Sequence, residues 1–177
     1  MIKLFVEFGP LLVFLITYKY SDILLATKLM ILVTILCLFL SYLIDKKISI
    51  PLLLSAFILV ILGSITIFTG NPGYIKMKPT IVYIIFSAVL HIAAIKNKPL
   101  IKDIIGNVFT LKHEHWIILS KRFAYYFLTM AILNELVWRN FSTDIWINFK
   151  VFGALPITFL FIGAQIPFIM RNQTNQN

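Results

Sequence analysis

Apolar residues along this chain neither alternate nor keep to one helical stripe; they form nearly unbroken runs separated by short clusters of Lys, Asn, Asp, Gly and Pro. A helix that crosses ~30 Å of hydrocarbon needs about 20 mostly apolar residues. Runs of that kind occur at 23–44, 48–68, 79–95 and 149–169. A fifth, 117–138, carries Lys121 and Arg122 near its start, where long side chains reach back to the interface. The segment 4–19 is short and holds Glu7 and Pro10, so it either spans with local thinning or lies as an interfacial or re-entrant helix. The pattern predicts an all-α integral membrane protein with five to six transmembrane helices in one compact bundle, a single membrane domain over 1–177.

Composition agrees with the pattern. Of 177 residues 60% are hydrophobic and 13% charged, with a mean hydropathy of +0.93, whereas a soluble domain carries about 25% charged residues. Glu7 and Pro10 interrupt any signal-peptide core, and the N-terminus is expected to remain in the mature protein. The lone Cys37 lies in an apolar run, which leaves no disulfide and no cysteine metal site.

A net charge of +9 in a soluble protein would suggest nucleic acid; in a membrane chain it is read as topology, and no nucleic-acid partner is expected. The longest hydrophilic stretch, 96–116 with the following Lys121 and Arg122, also carries Lys96, Lys98, Lys102 and Lys112. By the positive-inside rule it faces the cytoplasm. The turn with Lys46 and Lys47 and the tail RNQTNQN then fall inside, and 69–78 and 139–148 outside. Within the loop, Leu100, Ile101, Ile104, Ile105 and Val108 recur at helical spacing behind Pro99. An amphipathic helix on the membrane surface is expected, with anionic headgroups for its lysines, each worth about 1 kcal/mol; an ordinary solvated connector is the plainer alternative.

Two helix starts share an odd feature. Tyr74-Ile75-Lys76-Met77-Lys78 aligns with Trp146-Ile147-Asn148-Phe149-Lys150, each after a polar turn and before a long apolar run, and Phe5-Val6-Glu7-Phe8-Gly9-Pro10 is a weaker third copy that has no lysine. The lysines are either interface anchors or inward groups that meet carboxylates at one depth. The available carboxylate is in NELVWRN: Glu135 and Arg139 are four apart and can pair on one helix face, and Glu135 with Lys78 or Lys150 is the most economical arrangement near hydrocarbon. Glu7, Lys76, Lys78, Asn134, Glu135, Arg139, Asn148 and Lys150 are therefore the candidate residues of an outer polar cluster, a ligand or partner site or a clasp for the bundle.

Other chemistry is sparse. His113-Glu114-His115 lacks the i, i+4 spacing that puts two ligands on one helix face, so no metal is expected. His91 reads as a hydrogen-bonded core histidine. No phosphate loop and no nucleophile–base pair is apparent; neither a cofactor nor a catalytic residue is expected. Gly63, Ser64, Thr66, Gly153, Ala154, Gly163 and Ala164 permit close helix contact, within the bundle or in a homo-oligomer.

Four blocks carry a resemblance: FVEFGPLLVFLITYKYSDILLAT, IFTGNPGYIKMKPTIVYIIFSAVL, KPLIKDIIGNVFTL and NELVWRNFSTDIWINFKVFGALPITFLF. Together they resemble the intracellular septation protein A family, the YciB-type inner-membrane-spanning proteins of Gram-negative bacteria. The positions that match its motifs are Glu7, Gly9, Pro10, Lys76, Lys78, Thr80, Trp146, Asn148, Phe149, Lys150 and Gly153. The resemblance implies a five- or six-span inner-membrane protein of septation, cell division and envelope biogenesis, with membrane lipids and division and elongation proteins as partners and no established catalysis. A non-catalytic scaffold is the leading expectation. A small transporter or lipid-handling protein is the alternative, because of the paired cations and the carboxylate; a lipid-acting enzyme ranks last.

Overall fold

The computed structural model describes residues 2–46 and 50–174, with side chains for 9–43, 46 and 53–174. Lys47, residues 175–177 of the tail and the side chain of Glu7 lie outside the described residues. The elements are α1 (Ile2–Tyr20), α2 (Ile23–Asp45), α3 (Ile50–Thr69), α4 (Gly73–Ile95), α5 (Leu100–Ile105), α6 (His113–Asn140), α7 (Thr143–Asn148), a π-helical turn (Phe149–Ala154) and α8 (Leu155–Asn172). Among the described residues the one departure from helix and turn is an isolated bridge between Leu111 and Gln173. The all-α expectation holds. Four helical stretches are long and apolar enough to cross a membrane, Ile23–Leu43, Gly73–Ile95, His113–Asn140 and Thr143–Asn172, and Leu53–Thr69 is a shorter apolar helix.

These helices are apolar on nearly every side, and only 11% of the most apolar window of Thr143–Asn172 is buried by protein. Phe68, Phe152 and Leu160 are 90%, 77% and 74% exposed. Such faces are stable in lipid and not in water.

The chain falls into two compact units that divide within α4, Met1–Val82 and Tyr83–Asn177. In the first, α1 packs on α2 and α2 on α3. The Asp22 carboxylate caps α2 by accepting from Leu25 N–H at 2.7 Å, and Lys46 ends it in the left-handed region at φ 48°. The segment 4–19 belongs to one continuous helix that passes through Pro10. At the α2–α3 contact a Cβ on Gly63 would stand 2.7 Å from Ile31 Cδ1 and within 3.3 Å of Thr27 Cγ2, so a side chain here would push the Ile31 tip aside. Thr27, Thr34 and Thr66 are buried in this unit, and each hydroxyl donates to the carbonyl four residues earlier on its own helix, which keeps the polar groups satisfied without water.

The link from α3 to α4 is shorter than the sequence suggested. Gly70 turns the chain at φ 67°, and Asn71 Oδ1 accepts from Gly73 N–H at 2.8 Å, so α4 starts at Gly73 and not near 79. Lys76 and Lys78 thus lie within the helix, and Pro79 is interior to it. The link from α6 to α7 is likewise only Phe141 and Ser142.

In the second unit Leu90, Ile101, Leu111, Trp116, Leu119, Ala124 and Ile169 form the core. Ser87 Oγ donates to Ala124 O at 2.8 Å, joining α4 to α6, and Tyr126 joins α6 to α8 by stacking on Phe161 at 4.3 Å and by a 2.6 Å bond with Thr158. The loop helix is shorter than expected. α5 ends at Ile105, so Val108 is not on it; Leu100, Ile101 and Ile105 pack into the core while Ile104 and Val108 stay 71% and 70% exposed. Thr174 N–H donates to Thr110 O at 2.9 Å beside the Leu111–Gln173 bridge, so the loop and the C-terminal tail lie at the same end of this unit.

Candidate functional site

The candidate residues of the second unit gather where α6 ends and α7 begins. Ser142 Oγ accepts from Ile145 N–H and caps α7, and with only two residues in the link α7 folds straight back along α6. This brings Trp146 level with Asn134. Trp146 Nε1 donates to Asn134 Oδ1 at 3.0 Å, with the two residues 0% and 3% exposed. Both polar groups would be costly here if left unpaired.

Lys150 stands one turn after Trp146, its Nζ 3.7 Å from the centre of the indole ring. It lies in the π-helical turn, a one-turn widening of a kind often found at functional sites. The turn has a close contact of its own: a Cβ on Gly153 would clash with the Phe149 ring, which occupies the space that a side chain at 153 would need. Pro156, at the start of α8, offers no N–H to continue a regular ladder.

Glu135 is engaged on α6 itself. Its Oε2 accepts from Arg139 Nε at 2.6 Å and its Oε1 from Trp138 Nε1 at 2.9 Å, while the Arg139 guanidinium lies 4.7 Å over the Trp138 ring. The i, i+4 pair forms, and Trp138 closes it into a triangle. Asn148 is exposed at the end of α7.

In the first unit Lys76 is buried, 7% exposed, and Lys78 half-buried on α4; Glu7 is placed on α1 by its backbone alone. The aligned helix starts agree in part. Ile75 and Ile147 are both buried and Lys78 and Lys150 both half-buried, but Lys76 is buried where Asn148 is exposed, and Tyr74 is half-buried where Trp146 is sealed. The second copy runs into a π turn and the first into a regular helix.

Trp138 and the indole N–H of Trp146 were not among the residues picked from the sequence. The available signal was chemical: a tryptophan near hydrocarbon must place its N–H on an acceptor, and Asn134 and Glu135 were the acceptors at hand. His113 and Glu114 are exposed, and His115 packs edge-on against Phe168 at 5.9 Å; His91 packs edge-on against Tyr125 at 5.4 Å.

The sequence model described as intracellular septation protein A matches residues 2–176. The inner membrane-spanning protein YciB of Rickettsia prowazekii (strain Madrid E) is 45% identical over 174 residues, covering 98% of this chain and 97% of that protein. The proteins of the same name from Rickettsia felis and Rickettsia typhi are each 44% identical with the same coverage. No solved structure matches the chain.

Proposed function

The chain belongs to the intracellular septation protein A family, and from that membership we propose that it is a multi-pass inner-membrane protein of septation and envelope biogenesis that acts as a non-catalytic scaffold. Its partners in this reading are division and elongation proteins, held by surfaces at the two ends of the membrane helices. The basic loop and the C-terminus, which share one end of the second unit, face the cytoplasm. The α6–α7 link faces the periplasm.

The observation that carries this reading is the Asn134–Trp146–Lys150 arrangement. Its indole N–H bond is sealed inside and its cation rests on the same ring, so these groups fix α7 against α6 and present the exposed Asn148 at a constant position. A rigid platform with an exposed polar rim suits a contact surface. At the other end, exposed Ile104 and Val108 offer an apolar contact. Ile104→Asp is expected to insert and fold normally yet to lose its place at the septum and fail to complement a deletion strain. Normal localisation and complementation by that variant would count against the scaffold.

A further inference from the structure

Arg122 is used by none of the contacts that build the site above, and its setting is unusual. It is exposed on α6, yet its guanidinium is held at two points from α8: Nη1 donates to Gln165 Oε1 at 3.2 Å, and Cζ lies over the Phe168 ring, 4.1 Å from its centre. Gln165 is itself 7% exposed and anchored, its Nε2 donating to Phe161 O at 3.1 Å. Phe168 also packs edge-to-face with the His115 ring, centroids 5.9 Å apart. Among the described residues no carboxylate pairs with Arg122. An arginine with fixed geometry, an exposed position and no carboxylate partner among the described residues is suited to receive an anion.

The depth of the residue says which anion. Arg122 and Arg139 are seventeen residues apart on one helix, about 25 Å along its axis, where the hydrocarbon is ~30 Å thick. With Arg139 at one interface, the remaining ~5 Å is within reach of the Arg122 side chain, which brings its guanidinium to the headgroup boundary at the other. Exposed Lys121 adjoins it, and Lys112 and Arg171 are exposed at the same end of the unit.

We propose that Arg122, held by Gln165 and Phe168, is a binding site for the phosphate of an anionic phospholipid headgroup. Nη1 is spent on Gln165, and the edge formed by Nε and Nη2, which has no hydrogen-bond partner among the described residues, can form a bidentate pair with the phosphate. Stacking on Phe168 has already removed much of the side-chain freedom that such binding would otherwise cost. The site lies at the far end of α6 from the Asn134–Trp146 bond and does not depend on the scaffold reading.

The test is native mass spectrometry of the full-length chain in detergent, titrated with phosphatidylglycerol and, separately, with phosphatidylcholine. The wild type is expected to retain phosphatidylglycerol in preference to phosphatidylcholine, and Arg122→Gln to lower that preference roughly tenfold. Arg122→Lys keeps the charge but neither the planar fork nor the stacking, and Gln165→Leu keeps the arginine but frees it; each is expected to lose part of the preference. Lys121→Gln should change it little. A folded Arg122→Gln protein that keeps the wild-type preference, or equal loss in Arg122→Gln and Lys121→Gln, overturns the proposal.

Discussion

Trp146 and Asn134, twelve positions apart, share a hydrogen bond with almost no solvent on either side, the indole N–H donating to the amide oxygen at 3.0 Å. Trp146→Phe keeps an aromatic ring beneath Lys150 but withdraws the donor from a buried acceptor. The expected loss is about 1 kcal/mol, the scale of interhelical hydrogen bonds in membrane proteins. Lys150→Met should cost less, about 0.5–1 kcal/mol for a partly exposed cation on an aromatic face. Thermal unfolding of the detergent-solubilised variants gives the order; an equal or larger loss for Lys150→Met would reverse the ranking of the two interactions.

Gly153 owes its place to the Phe149 ring that lies against it. Gly153→Ala forces that ring aside and is expected to destabilise by about 1–3 kcal/mol. Phe149→Leu in the same chain should recover part of the loss. Additive effects in a double-mutant cycle would mean that the two residues do not meet.

Gly63 makes the corresponding contact in the first unit, against Ile31 and Thr27. Gly63→Ala is expected to loosen α2 from α3 and lower the melting temperature, and Ile31→Val to relieve part of that by removing the methyl that the new Cβ meets. No relief from Ile31→Val would place the strain elsewhere.

Much of the helical plan was legible before any coordinates, because runs of about 20 apolar residues have one stable form in a bilayer. The expected span 23–44 lies in α2 (Ile23–Asp45), 79–95 in α4, 117–138 in α6 and 149–169 in the π turn and α8. The helix starts were less legible. Hydropathy places the beginning of α4 at Pro79, after the lysines, but it begins at Gly73 because Asn71 and Gly70 form the turn there. The same blindness set the last span at 149, when Ser142 starts the helix at Thr143. The Glu135–Arg139 pair followed from spacing alone. The Asn134–Trp146 bond did not, because no local periodicity records which residues a two-residue link brings level, and the π turn has no sequence signature that distinguishes it from the helix on either side. The loop helix ended early because Gly106 and Asn107 break it before Val108, an effect that the apolar spacing conceals.

Orientation is open to a direct check. In a Cys37→Ser background, Asn148→Cys is expected to react with an impermeant maleimide in right-side-out vesicles, and Ile104→Cys only after the vesicles are opened. The reverse labelling would invert the proposed topology.

The scaffold reading is tested most directly by photo-crosslinking in living cells from a reactive residue placed at the exposed position 148, with the adducts identified by mass spectrometry. The account predicts reproducible adducts with proteins of the division or wall-synthesis machinery, reduced when Trp146→Phe loosens α7. A lipid or isoprenoid adduct at this position, without protein adducts, would contradict it and make this end of the molecule a lipid-handling site.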